Sequence, residues 1–355
     1  MAFRPSSLLV TGGAGFIGAN FVRYVLDADP RVRIVTLDAL TYAGSRLNLA
    51  EVLDDPRHQF VEGSITDRAL VDRLLREHEV DGVAHFAAES HVDRSILEPA
   101  AFVETNVVGT FTLLEAVREA WGRRRDVRFH HVSTDEVFGD LGPDDPAFSE
   151  TTPYDPSSPY SASKAASDHF VRAYARTFGL PVTITNCSNN YGPFHFPEKL
   201  IPLTILRALA GQPIPLYGDG QQVRDWLYVR DHCSAIWRVL TEAEPSSTYT
   251  IGGGNQPTNL EVVHHICDLL DERRPGQAPH ARLVTFVRDR PGHDRRYAME
   301  TAQIERDLGW RPEETLETGI EKTVDWMLEH QDWLASIVRE KGLAEWMTRN
   351  YTDLD

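Results

Sequence analysis

Lysine, cysteine and long apolar runs are what this 355-residue sequence has least of. Lysine stands only at positions 164, 199, 322 and 341. Acidic residues outnumber basic ones by 53 to 36, giving a formal net charge of −17. A surface that negative repels nucleic acid and anionic lipid, so neither nucleic acid nor membrane is expected among its partners. No apolar run approaches the roughly eighteen residues a membrane helix needs. The first nine residues carry one arginine and almost no apolar stretch, which argues against a secretory signal. Cys187, Cys233 and Cys267 are odd in number and widely spaced, so they give neither a disulfide framework nor a zinc pattern. A reducing, cytoplasmic location is the expectation. The fourteen histidines include the pairs His130-His131 and His264-His265, but none has a ligand spacing of the H-E-x-x-H kind. Adjacent strand residues point to opposite faces. Satisfied polar side chains, not metal ligands, are therefore expected, and no metal.

Repeats, low-complexity tracts and long linkers are also missing. What remains is an alternation. Ser7–Thr11, Arg33–Leu37, Gln59–Glu62, Gly82–Phe86 and Phe129–Ser133 are short β-branched runs that predict buried strands. Between them lie amphipathic stretches such as Phe16–Ala28, Arg68–Glu77 and Phe102–Trp121. That order predicts βαβ units and an α/β, Rossmann-type doubly wound parallel sheet. After about Val182 proline and glycine cluster and the alternation weakens, which predicts a smaller C-terminal substrate-binding lobe. Residues 1–186 are expected to form the dinucleotide-binding domain and 187–355 mainly the second one. Leu227–Val229 and Tyr249–Gly252, in a stretch of about 225–250, are candidates to return to the main sheet.

The first strand runs into Gly12-Gly13-Ala14-Gly15-Phe16-Ile17-Gly18, a G-x-x-G-x-x-G turn ahead of a helix. Gly12 suits the tight turn, Gly15 close approach of a pyrophosphate, and Gly18 close packing of helix on strand. The helix N-terminus offers unpaired N–H groups to phosphates. Asp38 ends the second strand twenty residues after Gly18, where a carboxylate accepts ribose hydroxyls and repels a 2′-phosphate, favouring NAD over NADP. A structural turn with a capping aspartate is the plainer alternative.

Tyr160 and Lys164 form Y-x-x-x-K, which at helical spacing shares one face. A nearby cation and a nicotinamide positive charge together lower the phenol pKa and make it a usable base. The alternative is an ordinary surface pair. Thr134-Asp135-Glu136 follows a strand end, where open α/β sheets bind ligands. Two adjacent carboxylates there suit one acid and one base whose environments separate their pKa values; a polar helix cap is the alternative.

Together these motifs resemble the extended short-chain dehydrogenases/reductases acting on nucleotide sugars. Within that family, Thr134–Gly139 is similar to the signature of the branch that dehydrates dTDP-glucose. The resemblance runs nearly the whole chain, through Leu40–Gly44, Ala87–Asp93, Asn186–Pro193, His195–Leu200, Arg224–Val229 and the stretch from Asp289 through Arg290 and Pro291 to Tyr297. It implies that Tyr160, assisted by Lys164 and Thr134, takes the sugar 4-hydroxyl proton while a hydride leaves C4 for NAD. Glu136 would then remove the C5 proton while Asp135 protonates the departing 6-hydroxyl, and the hydride returns to C6 and a proton to C5. The product is a 4-keto-6-deoxy sugar, with NAD tightly bound and regenerated each turnover.

For NAD the resemblance implies Phe16, Ile17, Leu40, Thr41, Ala43, Gly44, Ile65, Ala87, Ala88, Ser90, Thr105, Ser133, Tyr160, Lys164 and Asn190, beside the glycines and Asp38. Ser64 replaces the aspartate usual before Ile65, which weakens one adenine contact. For the dTDP-sugar it implies Ser90, Thr134, Asn189, Lys199, Leu200, Pro215, Tyr217, Arg224, Asn259, His293, Arg296 and Tyr297, with Lys199, Arg224 and Arg296 as the phosphate cations. UDP- or GDP-sugar enzymes of the same family are the sibling alternative; epimerases and decarboxylases lack the Asp–Glu pair. A redox-sensing binding protein would not need Tyr160, Lys164, Asp135 and Glu136 together. A homodimer through a four-helix interface, built on Phe102–Trp121 and the Tyr160 helix, is also implied. Phe170, Tyr174 and Phe178 fall on one helical stripe, which faces either that interface or the sheet.

Overall fold

The computed structural model describes residues 3–289 and 292–343, so Arg290 and Pro291 of the Asp289–Tyr297 motif lie outside the described residues. The described residues form eleven strands: β1 (Ser7–Thr11), β2 (Arg33–Asp38), β3 (His58–Glu62), β4 (Gly82–His85), β5 (Arg128–Thr134), β6 (Val182–Cys187), β7 (Asn189–Tyr191), β8 (Ile214–Tyr217), β9 (Trp226–Tyr228), β10 (Thr248–Ile251) and β11 (Val284–Val287). Seven make one sheet in the order β10-β6-β5-β4-β1-β2-β3, with every pair parallel. All of β1, β4, β5 and β6 is buried, as a parallel sheet covered on both faces requires. The strand order reverses between β1 and β4, which opens a crevice at their carboxyl ends.

The helices of the first part are α1 (Phe16–Ala28), α2 (Arg68–Glu77), α3 (Val92–Leu97), α4 (Pro99–Phe102), α5 (Thr110–Trp121) and α6 (Pro159–Phe178). They are followed by α7 (Leu200–Leu209), α8 (Val229–Glu242), α9 (Asn259–Arg273), α10 (Ala302–Leu308), α11 (Leu316–Glu329) and α12 (Gln331–Glu340). One face of the sheet packs on α2, α5 and α6 through residues such as Val71, Leu113, Val117 and Val171. The other packs on α1 and α8 through Phe21, Val25, Ile236 and Leu240. A separate core gathers α7, α9 and α11 around Tyr191, Trp226 and the β8 residues Ile214 and Leu216.

Tyr249–Ile251 does join the main sheet, as edge strand β10 beside β6. Leu227–Val229 does not: β9 pairs with β7 in a small sheet of its own, since β7 leaves the main sheet one residue after β6 and takes β9 with it. The predicted helix Phe102–Trp121 is longer and irregular. It begins at Pro99 and holds a wide i→i+5 turn over Val103–Gly109 between α4 and α5. The wide turn lets the buried Asn106 amide pair with the Glu89 backbone, accepting from its N–H at 2.8 Å and donating to its carbonyl at 2.9 Å. Taken whole, Pro99–Trp121 is long and apolar enough to cross a membrane by length and composition, which the sequence reading did not foresee. Here its inner side is core, packed on α2 and α6.

Candidate active site

The crevice at the β1/β4 switch continues into the second lobe as one cleft, and most of the expected site residues line it. At its sheet end lies the glycine turn. Gly12 has φ +71, and a Cβ there would stand 2.5 Å from the Ala87 backbone nitrogen. A Cβ on Gly18 would lie 2.3 Å from the Gly12 carbonyl, so the helix seats directly on the turn. At Gly15 a Cβ would meet only the Gly12 oxygen, at 3.2 Å, and otherwise project into the open cradle. Gly15 is the N-cap of α1 and provides no side-chain cap, leaving first-turn amides for a ligand. Asp38 is buried and holds the turn in place, accepting from Ala14 N–H and Leu40 N–H at 2.8 Å each. Burial raises its pKa, against which these backbone hydrogen bonds work. The cradle and carboxylate fit a dinucleotide with a free 2′-hydroxyl. Ser64 lines the cleft, but its hydroxyl is engaged locally with Thr66 at 2.8 Å.

The chemical end is built by β5 and α6. Ser158 and Ser161 form a reciprocal capping box with Pro159 in the first turn, and this fixes where α6 begins. Tyr160 and Lys164 therefore emerge on the first two turns, facing the end of β5. Thr134 caps the short turn Asp135–Phe138, accepting from Glu136 N–H at 3.3 Å and donating to Asp135 at 3.2 Å. Asp135 is fully buried, and its Oδ2 has no hydrogen-bond partner. Burial first, then the negative charges of Glu136 and Asp225, hold its pKa well above the ordinary carboxylate range. Glu136 is half-buried on the cleft wall. An acid and a neighbouring carboxylate thus flank the tyrosine.

Burial, Glu136 and Cys187 push the Tyr160 pKa well up. The Lys164 ammonium donates to the Val132 carbonyl at 2.8 Å. Burial lowers the pKa of Lys164, and the charge of Asp168 counters this. Asp168, one turn further along α6, is completely buried. It accepts from Ser133 at 2.9 Å, Tyr154 at 2.7 Å and Asn186 at 3.2 Å, and pairs with His131 at 3.0 Å. His130, on the opposite face, bonds Thr183 and Thr185 at 2.9 and 3.2 Å, so both its ring nitrogens are satisfied, whereas the buried Nδ1 of His131 has no hydrogen-bond partner.

On the second lobe, Asn189, Lys199, Leu200, Pro215, Tyr217, Arg224, Asn259 and His293 line the cleft. The Oδ1 atoms of Asn189 and Asn259 are buried without partners, as suits a polar ligand. Arg224 is buried, donates to the carbonyls of Val223 and Asp294 at 2.8 and 2.9 Å, and lies 4.3 Å over the Tyr297 ring.

Three expected residues fall outside the cleft lining. Arg296 turns away: its guanidinium donates to Gln256 at 2.8 Å and to the carbonyls of Asp145 and Gly142 at 2.9 and 3.2 Å, tying distant loops together. Tyr297 lies buried beneath Arg224 and bonds Asp294, so it supports that cation. Leu40, at φ +51, offers its N–H to Asp38 while its side chain packs on the core.

Other lining residues were not foreseen. Tyr42 bonds Ser90 at 2.8 Å, and buried Glu198 takes Arg94 at 3.0 Å and stands 3.4 Å from His91. Tyr42, Glu198 and His91 lie inside quoted motifs, so position in a motif was the available signal. Asp168 and Asn106 had none beyond their distance from Tyr160.

Comparison with known proteins agrees with this geometry. The sequence profile described as GDP-mannose 4,6 dehydratase matches residues 9–323. The dTDP-glucose 4,6-dehydratase of Shigella flexneri is 53% identical, over 97% of this chain and 98% of the relative. That of Xanthomonas campestris pv. campestris (strain B100) is 59% identical, over 93% and 95%. Among solved structures, the dTDP-glucose 4,6-dehydratase of Streptomyces venezuelae with NAD bound superposes with a TM-score of 0.85 at 49% identity, covering 92% of this chain and 98% of that one.

Proposed function

Since the chain belongs to the dTDP-glucose 4,6-dehydratase family, we propose that it is an NAD-dependent hydro-lyase converting dTDP-glucose to its 4-keto-6-deoxy derivative. The observation that carries this reading is the acid–carboxylate pair, Asp135 and Glu136, on the same cleft wall as Tyr160. Epimerisation needs the tyrosine and cofactor alone. Expulsion of water needs a proton donor as well as a base.

Residues 1–186, with α8 and β10, are taken as the NAD-binding domain, and the rest of 187–355 mainly as the nucleotide-sugar domain. NAD, when bound, accepts the C4 hydride, returns it to C6 and, oxidised, brings a positive charge near the phenol. Gly12, Gly15, Gly18 and Asp38 would hold it at the adenosine and pyrophosphate end, and Lys164 at the nicotinamide ribose. Tyr160, beside Thr134 in the cleft, takes the 4-hydroxyl proton. Glu136, half-buried, removes the C5 proton that the new ketone acidifies and would return a proton to C5 as the hydride reaches C6. Asp135, kept protonated, donates to the departing 6-hydroxyl. Lys199 and Arg224 face the diphosphate, and Asn189 and Asn259 offer buried amides to the sugar nucleotide.

A homodimer and a cytoplasmic location complete the reading. Val103, Val108, Phe111, Phe170 and Phe178 leave an exposed apolar face across α5, α6 and the wide turn, with Phe111 and Phe170 ring centroids 6.0 Å apart. Tyr174, on the same helical stripe, is instead core. The three cysteines are buried free thiols, which suits a reducing compartment.

The test is incubation of purified protein with dTDP-glucose and, separately, UDP-glucose and GDP-mannose, reading the alkali-induced absorbance of a 4-keto product. The expected result is signal from dTDP-glucose. Absence of signal with all three would remove the dehydratase assignment.

A further inference from the structure

The last described helix, α12, belongs to the second lobe yet packs against the loop that follows β2. Its residues Ile337 and Val338, with Trp333 and Leu343, cluster with Tyr42 and Ala43 of that loop. Tyr42 and Ala43 also line the cleft, so the loop has the cofactor site on one side and α12 on the other.

Polar contacts are more specific than this packing. Lys341, one of the few lysines in the chain, donates to the Thr41 carbonyl at 2.9 Å and reaches that of Leu40 at 3.4 Å. One of these carbonyls belongs to Leu40, a non-glycine residue at φ +51, a conformation that needs support from outside. Glu340 accepts from Ser45 at 3.0 Å, and Trp333 donates to Asn48 at 3.0 Å. Both contacts lead to one atom: the Ala14 carbonyl, in the glycine turn, accepts from Ser45 N–H at 3.0 Å and from the Asn48 amide at 2.9 Å. The Ala14 N–H in turn donates to Asp38. Three paths from α12 thus converge on the turn and the ribose-facing carboxylate.

We propose that α12 is a clasp on the cofactor: Lys341, Glu340 and Trp333 lock the 40–48 loop onto the glycine turn, so that a bound dinucleotide is retained between turnovers. This rests on the reading of the cleft as an NAD site and adds to it the element that sets the residence time. Retention matters for this chemistry because the cofactor ends each cycle as it began, and losing it in the reduced state would strand an oxidised sugar. Lys341 acts here as a positioning residue, holding carbonyls 40 and 41 and bringing a positive charge near buried Asp38.

The test is exchange of bound NAD on purified holoenzyme against isotopically labelled free NAD, followed by mass spectrometry, with no sugar substrate present. Lys341→Met is expected to exchange about tenfold faster than wild type, the factor carried by one charge-assisted hydrogen bond. Lys341→Arg, which can still reach the carbonyls, is expected to restore slow exchange. Trp333→Phe, which keeps the packing and removes the Asn48 contact, tests the second path and serves if Lys341→Met fails to fold. Wild-type exchange rates in the folded variants, or an arginine variant as fast as the methionine one, would overturn the clasp. If wild-type protein takes up no NAD, the functional reading falls too, a result distinct from bound NAD with unaltered exchange.

Discussion

Asp135 is the side chain whose surroundings say most about the reaction. It is buried, its Oδ2 is unpartnered, and it sits beside Glu136 and Asp225, the latter itself pushed up to about 7 by burial. The sign follows directly. A pKa raised from 3.8 means the proton-donating form persists as pH rises past the ordinary carboxylate range and is lost only above the raised value. The elimination rate is therefore expected to fall on the alkaline side of that value, as the proton donor is lost. Asp135→Asn should abolish that limb and slow turnover by about 10²–10⁴, the usual worth of a general acid, as a pH–kcat series would report. This acid was legible in the sequence, since two carboxylates at a strand end have little structural reason to stand together. The partners of Lys164 were not. Its contact with the Val132 carbonyl depends on how α6 seats on β5, and Asp168 gathers His131, Ser133, Tyr154 and Asn186 from three elements. Arg296 misled for a related reason: the loops it binds, near residues 142–145 and 256, arrive from far along the chain.

Among the elements, helix α6 and the wide turn at Val103–Gly109 do most to place the chemistry. The start of α6 was readable from Pro159 and the serines around it, because capping is a local property. The wide turn was not, because its cause is a buried amide reaching another loop. Asn106 spans the Glu89 backbone and donates to Ser163 on α6 at 2.8 Å, so one side chain joins three elements around the cleft. Asn106→Ala would leave the Glu89 N–H and C=O buried without partners. The expected cost is about 1–3 kcal/mol for each group, seen as a lower urea midpoint with an unchanged denaturant slope. An unaltered midpoint would show that the amide is dispensable. Similarly, β9 was expected in the main sheet and instead pairs with β7, whereas β10 joins β6 there as expected.

The whole molecule brings a dinucleotide cradle from one lobe and polar side chains from the other to a shared cleft. Its doubly wound parallel sheet was implied by the alternation of strands and helices, which is why the fold class was readable from sequence. The outer surface was less so: one periodic stripe split into a core Tyr174 and exposed Phe170 and Phe178. If the exposed face is a dimer interface, Phe111→Glu should give a monomer in sedimentation velocity where the wild type is a dimer. A monomeric wild type would remove the interface. The central claim is that redox tyrosine, base and acid act on one sugar in this cleft. Its most direct test is Glu136→Gln holoenzyme mixed with dTDP-glucose, following cofactor reduction and 4-keto-6-deoxy product together. The account predicts that bound cofactor becomes reduced and product formation is lost. Product appearing at the wild-type rate would contradict it.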